Sequence, residues 1–291
     1  MDFFPDCIPC HVLQAQRITR KLHLDHSQSM LFYQQVCKDL STAPLTITPV
    51  EMAALVYDTA EKMFGTSNVF ESEKKRSNEI AEKIVLDLQQ TLDFAAQPLS
   101  FFARVAAAGN LIDLGARDVD FHLVEEEILH KVESMQFAKD RFAHFEQGCS
   151  TANQLLYLLD NAGEVVFDRL FLEQIHMRFP RLPLLAATRG RPVINDVSFQ
   201  DASELGFPEY VALLDSGSPY PGTVLRAVHP AFSHHFEKAD LVVSKGQGNF
   251  EGLSKEQKPG LFFCLTVKCQ TIADFLGLEQ GDVIFTDQPF A

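Results

Sequence analysis

Three short polar tips, each following an apolar run, hold the residues of this chain best suited to chemistry. Leu155-Leu156-Tyr157-Leu158-Leu159 ends in Asp160-Asn161-Ala162-Gly163-Glu164, and Pro192-Val193-Ile194 ends in Asn195-Asp196. Val242-Val243-Ser244 leads into Lys245-Gly246-Gln247-Gly248-Asn249-Phe250-Glu251. If these runs are parallel strands, their tips converge on one rim. Asp160, Asn161 and Asp196 would then offer hard oxygen ligands to a divalent cation, with waters completing the shell. Such a donor set suits magnesium or manganese better than zinc, which prefers sulfur and imidazole in its structural sites. A histidine zinc site is not expected, because the chain has no HExxH pair and His234 and His235 are adjacent.

Each tip also has a plainer reading. Asp160 or Asn161 could simply cap the helix that follows, since turns and caps select the same residue types. The glycines at 246, 248 and 252 have the wrong spacing for a dinucleotide fingerprint. They would let a phosphate approach the backbone closely, with Lys245 as its cationic contact, or they form an ordinary glycine-rich connector.

The elements that must position these tips fall into two halves. Beyond Ser150, short apolar runs at 154–159, 182–187, 210–214, 240–244 and 261–267 alternate with helical stretches at 164–179, 198–205, 230–238 and 271–276. Strands alternating with helices predict a mostly parallel sheet covered on both faces, with ligands bound beyond the carboxyl ends of its strands. The first half reads as helices, with no strand expected before residue 150. Ile80, Ile84, Val85, Leu88 and Leu92 form one apolar stripe, and Glu73, Lys74, Lys75 and Glu79 read as the solvated face opposite. The expected organisation is a helical domain over 1–150 and an α/β domain over 151–291. Asn110 and Asp113, at i and i+3, share one side of a helical turn near the end of the stretch 98–109. Cys7-Ile8-Pro9-Cys10 has the gap of a metal or redox pair but no second CxxC to complete a zinc site.

The composition narrows the function. With 25 basic against 39 acidic residues the net charge is −14, so nucleic acid and anionic membrane are poor partners. A local anion pocket for a small phosphorylated ligand remains compatible with that charge. The opening MDFFPDCIPC has no basic n-region and no sustained apolar stretch, and no run approaches a membrane span of ~20 residues. Six cysteines are too few for a disulfide scaffold, and the expectation is a cytoplasmic protein with reduced thiols.

Taken together, AAAGNLIDLG at 106–115, LLDNAGEVVFD at 158–168, RPVINDVS at 191–198, PGTVL at 221–225 and ADLVVSKGQGNFEGL at 239–253 resemble the damage-control phosphatase family. With CIPC and the Lys268-Cys269 pair, the chain is most similar to the stand-alone microbial branch. It lacks the Arg-Thr-x-Lys signature of the eukaryotic branch. The resemblance implies a helical part packed on a Rossmann-like, mostly parallel sheet flanked by helices, with the site between them. It implies Asp160, Asn161 and Asp196 as ligands of magnesium, manganese, cobalt or nickel, with both aspartates catalytic. Asn110, Asp113, Lys245 and Asn249 would contact a small phosphorylated metabolite, with Glu164 and Glu251 supporting them. The nucleophile would be a water activated at the metal, or an aspartate that becomes phosphorylated. Rival functions are an S-adenosylmethionine-dependent carboxyl methyltransferase, an annotation given to some relatives, and a non-catalytic metabolite-binding protein.

Overall fold

The computed structural model describes residues 1–44, 46–66, 68–109 and 121–287, residues 121–127 by backbone alone. Asn110 and Asp113 lie outside the described residues. Six helices come first: α1 (Cys7–Lys21), α2 (His26–Thr42), α3 (Pro49–Phe64), α4 (Glu71–Thr91), α5 (Leu99–Ala108) and α6 (Phe121–Ser134). Their ends follow local chemistry. Thr48 and Glu51 close a reciprocal capping box with Pro49 in the first turn of α3, and Gly65 ends that helix in the left-handed conformation at φ 70°.

A seven-stranded sheet follows, ordered β1-β7-β6-β5-β2-β3-β4. Its strands are β1 (Phe137–Asp140), β2 (Leu155–Leu158), β3 (Leu184–Thr188), β4 (Val211–Asp215), β5 (Leu241–Lys245), β6 (Leu261–Thr266) and β7 (Val283–Thr286). Strands β2 to β6 pair in parallel, whereas β7 runs antiparallel to β6. The connecting helices are α7 (Phe142–Cys149), α8 (Glu164–Arg178), α9 (Phe199–Leu205), α10 (Pro230–Lys238), α11 (Gly246–Leu253) and α12 (Gln270–Leu276). Both faces of the sheet are covered, and the side chains of β2 show it. Leu155 and Tyr157 join a core with Phe102, Phe167 and Phe171, while Leu156 and Leu158 face Phe232, Phe250 and Leu253. The first core also takes in Ile84, Leu88 and Ile128, so α4 and α6 share the apolar layer under the sheet. Helices α1 to α3 hold a small core of their own around Ile18, Phe32 and Val56.

Three expectations need correction. A strand does precede residue 150: β1 pairs in parallel with β7 at the sheet edge. Only Phe137 of its four residues is buried, so its apolar signal is too thin to read. The run Pro192-Val193-Ile194 is not a strand but a turn in which Ile194 takes a positive φ of 48°. Proline at its start has no amide to give a ladder. Lys74 is not on a solvated face. It is 1% exposed, because it continues the buried row of Ser77, Ala81, Ile84 and Leu88. Among the described residues, no helix is long and apolar enough to cross a membrane.

Candidate active site at the carboxyl rim

The strand order reverses at β2. From there the chain winds outward through β3 and β4, then returns to β5 on the other side of β2. A crevice at the carboxyl ends of neighbouring strands is expected at such a point. Asp160 follows β2, Gly246 follows β5, and the Asp196 loop follows β3. Backbone bonds lace the two aspartate loops together. Val197 donates to the Asp160 carbonyl at 2.9 Å, Ala162 donates to the Asn195 carbonyl at 2.9 Å, and Asn161 and Asp196 form an isolated antiparallel bridge. The adjacent Asp160 and Asn161 are therefore brought together with Asp196, which lies on a separate loop.

Between the two carboxylates stands Arg189, the residue after β3, which is 1% exposed. Its Nε donates to Asp196 Oδ2 at 2.7 Å, one terminal nitrogen to Asp160 Oδ1 at 3.2 Å, and the other to the Leu159 carbonyl at 3.1 Å. The planar fork thus fixes the spacing of both acids and compensates part of their buried charge. Burial still dominates, and the repulsion of Asp196 adds to it, pushing the Asp160 carboxyl up to about 8 despite Arg189. The Asp196 carboxyl is raised for the same first reason.

Asp160 Oδ2 faces a cradle made by glycine. A Cβ on Gly246, whose φ is +78°, would lie 1.9 Å from that oxygen. Asn161 adds an amide beside it, its Nδ2 donating to Asp160 Oδ2 at 2.7 Å. Among the described residues, no three His, Cys, Asp or Glu side chains group to hold a metal. Two carboxylates and one amide are nonetheless a hard oxygen set, with the chemistry that magnesium or manganese accepts.

Lys245 and Asn249, expected to touch phosphate, are sealed inside. The Lys245 ammonium donates to Glu164 Oε1 and Asp168 Oδ1, both at 2.6 Å, and to the Ala106 carbonyl at 3.0 Å, which uses all three protons. Burial works against that charge, but Asp168 and Glu164 outweigh it and hold the pKa above its ordinary value. Asn249 donates to the carbonyls of Leu159 and Lys245 and accepts from Thr223. Both side chains support the rim from below and leave no polar atom free in this arrangement.

The groups at the mouth are different ones. Lys268, just past β6, is exposed, and its charge favours ionisation of Asp160, Asp196 and Glu251. Its signal in the sequence is its place, directly after the apolar run 261–267. Burial pushes the Glu251 carboxyl up to about 7, and Gln247 donates to it at 2.9 Å. Cys7, Cys10 and Cys269 gather near Glu251, and all are free thiols. From α3, the half-buried Tyr57 has its hydroxyl pKa raised, first by burial and in small part by the Asp196 charge.

The family model described as the damage-control phosphatase ARMT1-like domain matches residues 3–284. The chain belongs to this family. A damage-control phosphatase of Pyrococcus horikoshii is 28% identical over 287 residues, covering 96% of each chain. An uncharacterized protein of Methanocaldococcus jannaschii is 26% identical over 289 residues, covering 96% of this chain and 93% of that one. The crystal structure of a DUF89 family protein from Pyrococcus horikoshii superposes with a TM-score of 0.92 at 26% identity, covering 98% of this chain and 99% of that one. The helix-covered, mostly parallel sheet is thus the fold of a damage-control phosphatase, and its homologues support a phosphatase role.

Arg189→Met tests the electrostatic core of the site. Removing the guanidinium takes the shared donor from the buried Asp160 and Asp196 and leaves what charge they carry unpaired, and the expected loss is ~3–5 kcal/mol in urea unfolding. Lowering the pH should shrink the deficit, because protonation removes the stranded charge. A variant as stable as the parent at every pH would refute this role.

Proposed function

We propose that this damage-control phosphatase hydrolyses small phosphomonoesters, such as sugar phosphates or damaged phosphorylated metabolites, with a divalent cation held by Asp160, Asn161 and Asp196. The observation that carries this reading is the meeting of those three oxygen-bearing side chains at the switch point of the sheet, with their spacing held by Arg189. Magnesium, manganese, cobalt or nickel there would neutralise phosphoryl charge and acidify a water.

The rest falls to the chain's own residues. Helix α11 begins at Gly246 with no side chain capping its first amides, so its positive end faces the rim beside Asp160. The Lys268 ammonium, the exposed cation at the mouth, would take the remaining phosphate oxygens in the role first expected of Lys245. Glu251, titrating near neutrality, can hold a proton and return it within one turnover. Lys245, Glu164 and Asp168 keep the floor of the site rigid and dry.

A phosphatase screen with sugar phosphates, run with each of the four metals and with EDTA, is the test. Phosphate release should stop in EDTA and return with metal, and Asp160→Asn or Asp196→Asn should lower it by more than about 100-fold while the fold persists. Undiminished turnover in EDTA or in either variant would discard the ligand assignment. Methyl transfer from S-adenosylmethionine without phosphate release would favour the methyltransferase reading, and metal binding without turnover the binding-protein reading. Cation affinity should also depend on pH. Asp160 holds its proton up to about pH 8 in the metal-free protein, and an incoming cation must displace it. Manganese affinity should therefore rise by about tenfold per pH unit up to that point and then level off, as read by calorimetry. A flat profile would refute the linkage.

A further inference from the structure

Helix α4 touches both loops that carry the proposed ligands, and it does so from a single turn. Lys74 Nζ donates to the Asp196 backbone carbonyl at 3.3 Å and to Asp201 Oδ2 at 2.5 Å. That Asp201 oxygen also accepts from the Ser198 amide at 2.8 Å and the Ser198 hydroxyl at 2.6 Å, in the capping box that starts α9. Four residues on, Asn78 Oδ1 accepts from the Gly163 amide at 2.6 Å. Gly163 ends the Asp160 loop at φ 80° and sits at the N-cap of α8. Residues at i and i+4 share a helix face, so Lys74 grips the Asp196 loop and Asn78 the Asp160 loop at a separation fixed by one helical turn.

We infer that Lys74 and Asn78 are positioning residues that set the distance between Asp160–Asn161 and Asp196, which makes α4 a brace across the metal site. The inference rests on the metal reading proposed above. Its physical basis is the intolerance of small dications. Magnesium demands near-ideal octahedral geometry at roughly 2.0–2.1 Å, so ligands on two separate loops serve only if the loops are held to about 0.5 Å. A lysine this thoroughly buried loses its hydration, and its placement on a backbone carbonyl beside a ligand gives that loss a structural return. Neither residue belongs to the five segments that carry the family resemblance.

The test measures Mn2+ binding directly, by calorimetry and by the spectrum of free Mn2+, on the full chain without substrate. Lys74→Met and Asn78→Ala should each weaken Mn2+ binding about 10-fold or more, the range usual for groups that orient metal ligands. The double variant should weaken it by less than the product of the two, because either cut already frees the loops. Ile84→Ala, on the same helix but away from both loops, should lower Tm while leaving Mn2+ affinity within about twofold. Asn78→Ala, at a part-buried position, keeps the test alive if Lys74→Met fails to fold. Parent-like Mn2+ affinity in Asn78→Ala, or an equal loss in Ile84→Ala, would overturn the brace alone. If Asp160→Asn binds Mn2+ as well as the parent, or the parent binds none, the metal reading falls and the brace falls with it.

Discussion

Placing several carboxylates at one dry rim is the constraint on which the rest of this structure depends. Asp160, Asp196, Glu164 and Asp168 are each 5% exposed or less. Ionised groups so buried are tolerated only when paired and hydrogen-bonded. The fold answers with three cations, each at most 1% exposed: Arg189 between the two aspartates, Lys245 between Glu164 and Asp168, and Lys74 behind the Asp196 loop. Every one comes from a different element. The strand order, the helix over the rim and the glycine at the start of α11 can all be read as the means of assembling these pairs.

The same constraint separates structural lysines from exposed ones. Lys245 looks functional in the sequence because it precedes glycines at a strand end, yet its partners commit it to the interior. Lys268 lies beyond the end of the neighbouring strand, four residues past Cys264, which pairs with Lys245, and it is at the surface. That even offset keeps the side-chain face, so distance beyond the strand end, and not the pleat, separates the two charges.

Asp160, Asn161 and Asp196 were legible because polar residues closing apolar runs mark the rim of a parallel sheet. The sheet itself was legible for the same reason, since β2, β3, β5 and β6 are buried on both faces and read as continuous apolar runs. Edge strand β1 escaped because three of its four residues are not buried. Lys74 escaped because its neighbours Glu73 and Lys75 are exposed charges, and the partner that explains it lies beyond residue 195. Arg189 gave only a weak cue, a basic residue closing an apolar strand, and nothing local told it from an ordinary surface arginine. Long-range pairing leaves no periodicity behind, so a single charged residue shows its role only when both ends of the contact are known.

The burial of Lys74 also bears on how the chain is made. Its two acceptors lie 122 and 127 residues downstream, so the helix that bears it leaves the ribosome long before they exist. During that interval neither acceptor is present, and water is the only solvent open to the ammonium. Only when the third strand and the turn beyond it have been made can the charge be withdrawn from water, so α4 cannot take its final seat before Asp201 exists.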